Sequence, residues 1–162
     1  MGQNKMAEVA IAGVLMGVLA TVAMDLWALA LNRFAGQPLP NWAMVGRWVA
    51  HLARGTVFHD AIAEAARVPG ELQIGWVFHY AVGIIYGLAL AAIMGPAWLA
   101  EPTFLPAWVF SILMVGFGWF LLQPGMGLGW AASKTPAPWK ARAMNIAAHT
   151  VFALGLWVGA LL

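Results

Sequence analysis

The chain contains no cysteine, so disulfides, thiolate metal sites and cysteine nucleophiles are excluded at once. It is almost as poor in charge. Lys, Arg, Asp and Glu make up 9% of its 162 residues, where a soluble domain carries about 25%. Such a chain cannot cover a water-facing surface. Serine occurs only as Ser111 and Ser133, neither in a nucleophile elbow, and there is no glycine-rich phosphate loop. Serine hydrolysis and nucleotide chemistry therefore have no foothold.

What remains is apolar: 63% hydrophobic residues and a mean hydropathy of +0.81. A polytopic membrane protein is the class that fits. The sequence pI near 9.4 invites a nucleic-acid reading, but the formal net charge is only +2. The basic residues flank apolar runs, a pattern suited to anionic lipid headgroups and not to a phosphodiester backbone. No nucleic-acid partner is expected; the lipid bilayer is.

Apolar runs predict an all-α, four-transmembrane-helix bundle in one membrane domain, with spans at about 9–31, 72–94, 104–124 and 140–161. The second run, Leu72 to Met94, carries no formal charge over 23 residues, enough to cross about 30 Å of hydrocarbon. Within it Gly75, His79, Gly83 and Gly87 recur every four residues and share one ridge. Three small residues there invite a neighbouring helix to approach closely, with the imidazole turned toward that neighbour. The first span repeats the pattern with Gly13, Gly17, Thr21 and Asp25. Its length argues against a cleaved signal peptide behind Lys5. Gly95-Pro96 ends the second span, and Pro124 predicts a break or kink at the end of the third.

Residues 33–71 form the first loop. Asn41 is placed to cap an amphipathic helix over about 42–53, with Trp42, Val45, Trp48, Val49 and Leu52 on its apolar face. Arg47, His51 and Arg54 fall on the other side, as in a helix lying in the headgroup plane. A second short helix is expected from His59 to Arg67, and the stretch from Ser133 to Pro138 reads as a plain loop. Seven basic residues, Arg33, Arg47, Arg54, Arg67, Lys134, Lys140 and Arg142, sit in the first and third loops. The positive-inside rule puts those loops in the cytoplasm and both termini outside.

Counted from the cytoplasmic ends, Asp25, His79 and His149 each lie seven residues in, roughly 10 Å at 1.5 Å per residue. Gln123 and Asn145 fall near the same end. These five residues predict one polar layer. In the structural reading they hydrogen-bond one another and hold the helices in register, at about 1 kcal/mol or less per bond. Amides would do this with less desolvation than an aspartate and two histidines, so functional readings stand beside it. One is a protonatable Asp/His site that binds or moves a small solute or ion. A second is a divalent metal on His79, His149 and Asp25. A third is a haem with His79 and His149 as axial ligands, which would make a membrane redox protein. A non-catalytic structural or assembly subunit is a further reading, so whether the chain is an enzyme stays open. Arg47, His51, Arg54, Lys134 and Arg142 are candidates for an anion or lipid-headgroup site. Gly155 and Gly159, on a different face of the fourth span, point to a partner helix or a second copy.

Several runs also match a known pattern: Met24-Asp25-Leu26-Trp27, Asn41 to Trp48, Pro69-Gly70-Glu71, Gly75 to Tyr80, and Ala131 to Pro136. Together they resemble a bacterial inner-membrane family, the domain of unknown function numbered 2938, over essentially the whole chain. The resemblance implies a four-span inner-membrane protein. It assigns no activity, ligand or site residue.

Overall fold

A computed structural model of the chain describes residues 3–162, and these form helices, turns and connections without strands. In order they are α1 (Gln3–Ala35), α2 (Trp42–Leu52), α3 (Glu71–Ala100), α4 (Phe104–Phe117), a π-turn (Gly118–Leu122), α5 (Gln123–Gly125), a 3-10 turn (Trp130–Ala132) and α6 (Pro138–Ala160). Among the described residues, four stretches are long and apolar enough to cross a membrane: Asn4–Ala35, Glu71–Ala100, Phe104–Gly125 and Pro138–Ala160. The chain divides into two compact units. One holds the residues up to Leu39 with Tyr80–Leu113 and Ala148–Leu162; the other holds Pro40–His79 and Met114–Ala147.

The helices of the first unit meet on small residues. Gly17 of α1 meets the backbone of Gly83 and Ile84 in α3, and Gly87 meets Gly13 and Gly17 in return. Thr21 is fully buried beside Gly83, its hydroxyl donating to Gly17 O at 2.8 Å. The four-residue ridges read from the sequence are thus the surfaces on which α1 and α3 close. Gly155 and Gly159 of α6 rest on the backbone of Ala20 and Met16. This corrects the expectation of a partner helix at those glycines, because α1 of the same chain already covers them. Large apolar side chains turn outward instead, among them Ile11, Leu26, Leu29, Ile85, Ile93, Leu113 and Val158. Small residues at the helix contacts under a coat of exposed aliphatics are what a lipid solvent selects.

Helix α3 runs past the expected stop at Met94. At Gly95 the backbone takes φ 70°, ψ −177°, a conformation only glycine adopts easily, and the helix resumes at Pro96. In the second unit, Pro124 has no N–H to give the fourth carbonyl before it, and its ring crowds that carbonyl. The preceding turn widens to π geometry, with Gln123 N–H donating to Gly118 O. The break expected at Pro124 is therefore a π-turn.

Asn41 caps α2 as expected, its side-chain oxygen accepting from Met44 N–H at 3.2 Å. Gly46 of α2 lies against the carbonyl of Glu71, and Gly75 against the carbonyl of Trp42, so α2 docks closely on the start of α3. Val45, Trp48, Ile62 and Met126 form the core of this unit. The expected helix from His59 to Arg67 is absent: residues 53–70 are turns and extended chain. The N–H groups of His59 and Ile62 donate to Gly125 O and Met126 O, and these long-range bonds replace a local helix.

A methyl group at position 17 would stand 2.6 Å from Ile84 Cα and 2.9 Å from the Gly83 carbonyl carbon, both backbone atoms that cannot step aside. Gly17→Ala is expected to destabilise the chain by about 1–3 kcal/mol, the usual penalty of overpacking. Gly118→Ala, whose added methyl meets nothing within 4 Å, serves as the control. Thermal unfolding of both variants in detergent checks the difference.

Candidate functional site: the polar residues of the spans and the Arg47 hub

Of the five residues expected in a polar layer, Asp25 and His149 belong to the first unit, and His79, Gln123 and Asn145 to the second. Each has neighbours that fix it. Asp25 projects from α1, one turn beyond Thr21, and its Oδ2 accepts from Tyr80 OH at 3.0 Å. Tyr80 was not singled out in the sequence, because nothing local marks a tyrosine 55 residues away as the partner of an aspartate. On α6, His149 Nδ1 donates to Ser111 O at 2.9 Å, while Ser111 Oγ donates back to His149 O at 2.6 Å. The pair staples α4 to α6 and leaves Nε2 as the histidine's acceptor. Ser111, which has no nucleophile motif, is fully buried in this role.

In the second unit the amides form a directed chain. An indole N–H can only donate, so Trp119 Nε1 fixes Asn145 with its Oδ1 inward, at 2.9 Å. Gln123 must then present Nε2 to the same oxygen, also at 2.9 Å. Its own Oε1 is left buried and takes no donor from the described residues. Gln123 and Asn145, two of the five, thus bond one another, and Trp119, which ties them, was not singled out in the sequence. His79 stacks on Trp42 of α2, ring centroids 4.0 Å apart and planes 27° apart, with Trp76 at 5.9 Å. The neighbour toward which its ridge turns is thus an aromatic ring. Among the described residues, no three or more His, Asp or Glu side chains gather so as to hold a metal ion.

The anion-site candidates fare differently from their sequence reading. Arg47 is only 5% exposed. Its Nε and Nη2 bind the two oxygens of Glu71, both at 2.9 Å, in a bidentate fork. Its Nη1 donates to the carbonyls of Ile62, Ala63 and Ala65 at 2.9, 3.0 and 3.2 Å. The expectation that Arg47 reaches lipid phosphate is corrected, since its donors are spent inside the protein. The hydrogen bond to Glu71 raises the guanidinium's affinity for its proton further above its already high ordinary value. Helical periodicity assigned the charge outward because its partner lies 24 residues along the chain. Arg142 Nε donates to Ala131 O at 2.8 Å, and its guanidinium lies over Trp139 at 4.7 Å. His51 pairs with His59. Arg54 and Lys134 are exposed.

Arg47 holds three loop carbonyls and one carboxylate at once. A lysine offers no planar fork and cannot reproduce this. Arg47→Lys is expected to lower the melting temperature and to speed tryptic cleavage at the neighbouring Arg54 and Arg67 several-fold. Limited proteolysis followed by mass spectrometry reads both sites.

No curated protein and no solved structure matches the chain. One family does, over residues 14–162, a match that takes in Asp25, the Arg47 hub, His79 and every later helix. By that match the chain belongs to the family described as protein of unknown function DUF2938.

Proposed function

We propose that this is an inner-membrane protein that binds or translocates a small solute or ion, coupled to protonation of Asp25. The observation that carries the reading is the hydrogen bond from Tyr80 of α3 to Asp25, a carboxylate within the apolar α1 helix. An ionised carboxylate is an expensive residue for a span, and a purely structural contact there needs no charge. Tyr80 OH donates to the ionised carboxylate; once Asp25 binds a proton, it can itself act as donor. The same contact therefore has two protonation states with different hydrogen-bond directions, which is what coupling a proton to a second ligand requires. His149 of α6 adds a second titratable group to this unit. In the proposed orientation residues 33–71 and the loop before α6 face the cytoplasm, α2 lies in the headgroup layer, and both termini lie outside.

A second reading is a structural or assembly subunit. It is favoured by the Ser111–His149 and Trp119–Asn145–Gln123 bonds, which tie α4 and its continuation to α6 without any mobile group.

Purified protein in phosphatidylethanolamine/phosphatidylglycerol vesicles, loaded with a pH-reporting dye and given Na⁺ or K⁺ gradients, separates the two. Wild type is expected to change the internal pH under one of the gradients, and Asp25→Asn to abolish the response at near-normal folded yield. A hydrogen bond to a charged group contributes about 1.5–3 kcal/mol, so Tyr80→Phe should weaken coupling about ten- to a hundredfold. Wild-type behaviour of both variants would end the proton-coupled reading, and misfolding of both would favour the structural one.

A further inference from the structure

His51, in the last turn of α2, and His59, in the connection that follows, meet edge to edge, with His51 Nδ1 and His59 Nε2 only 2.8 Å apart. The other nitrogen of each ring settles the tautomers. His51 Nε2 lies 3.0 Å from Ala66 O, and His59 Nδ1 lies 2.9 Å from Gly125 O. A carbonyl oxygen only accepts, so both of these nitrogens carry protons. Were both rings neutral, the two facing nitrogens would each present a lone pair to the other at hydrogen-bond distance, a repulsive contact. The geometry is satisfied when one further proton lies between them.

We infer that His51 and His59 form a proton-binding site, in which one proton beyond those of two neutral imidazoles bridges Nδ1 of one and Nε2 of the other. The bound proton clamps the 53–70 connection to the end of α2 and to Gly125 of α5. A metal ion is the other electrophile two imidazole lone pairs could share. Nitrogen–metal bonds of about 2.0–2.1 Å place two nitrogens about 3.3 Å apart at tetrahedral angles and about 2.9 Å apart at right angles, with the ion off the line that joins them. Here the nitrogens are 2.8 Å apart and the ring centroids only 5.0 Å, so the two nitrogens point at one another, which suits a charge-assisted N–H···N bond.

The charged groups on the surrounding elements are few. On and just after α2 they are Arg47 and Arg54; on the connection, Asp60, Glu64 and Arg67; at the start of α3, Glu71, already paired with Arg47; on residues 123–127 there is none. Among the described residues none of the carboxylates forms an ion pair with either imidazole. The extra proton is held by the two rings and the two carbonyls. The clamp is present while the pair is charged and is lost as pH rises and the shared proton leaves, because only the folded geometry brings the rings together to bind it.

The test is ¹⁵N NMR of the full chain, labelled at histidine, in nanodiscs. A state with three ring protons on the four nitrogens of the pair and a nitrogen–nitrogen coupling across the 2.8 Å contact is expected between the doubly protonated and the neutral pair. On raising the pH the third proton should leave in a single step. The amides of His59 and Ile62, which donate to Gly125 O and Met126 O, should then exchange about tenfold faster after correction for base catalysis. His51→Gln and His59→Gln should each remove that step; if either fails to fold, the wild-type spectrum alone decides. The absence at any pH of a three-proton state with that coupling, or one equivalent of metal in the purified protein, would overturn the inference.

Discussion

The second unit depends on the guanidinium of Arg47. A connection of some eighteen residues between α2 and α3 cannot satisfy its own carbonyls without helix or sheet, and a buried unpaired carbonyl costs about 1–3 kcal/mol. Arg47 supplies donors to three of them from one side chain while its remaining two nitrogens grip Glu71 at the head of α3. With the carbonyls held, the N–H groups of His59 and Ile62 are free to reach Gly125 and Met126. Trp48 Nε1 then closes on Val57 O at 2.8 Å, and Ile62 enters the core. The connection is held by local turns at its two ends and by these longer-range bonds between them.

The first unit obeys a different constraint. Lipid gives helices no hydrophobic reason to associate, so contact has to come from close backbone approach. Gly13 and Gly17 of α1 against Gly83 and Gly87 of α3 supply it, and Gly155 and Gly159 of α6 take the adjacent face of α1. That approach brings Asp25 and Tyr80 within hydrogen-bond reach one turn beyond Thr21. The polar contact follows from where the glycines allow the helices to meet.

Much of this was legible in the residues, and the division follows range. The four apolar helices, the Asn41 cap, the glycine ridges and the break before Pro124 each depend on neighbours within a turn or two, where periodicity and composition carry the information. The inward turn of Arg47 was not legible, because amphipathic patterning sends a charge outward unless a partner is known, and Glu71 lies beyond any local window. The same holds for Tyr80 with Asp25, and Ser111 with His149. The helix expected over 59–67 fails for the complementary reason: its sequence suits a helix locally, but its N–H groups have better-placed acceptors sixty residues on. Gly155 and Gly159 were read correctly as a close-packing face, and only the identity of the packing helix was wrong.

The turn between α5 and α6 has its own thermodynamic signature. Ala131 and Ala132 both hold positive φ, 47° and 60°, where an alanine sits about 1–2 kcal/mol above its relaxed state. Arg142 holds Ala131 O, Thr135 Oγ1 holds Ala132 O at 2.7 Å, and Lys134 N–H bonds Leu128 O, so the contorted pair is latched from several sides. A segment held this way is a loaded spring. Releasing the Arg142 latch would let the backbone relax downhill, and α6 would inherit the freed slack at its first turn.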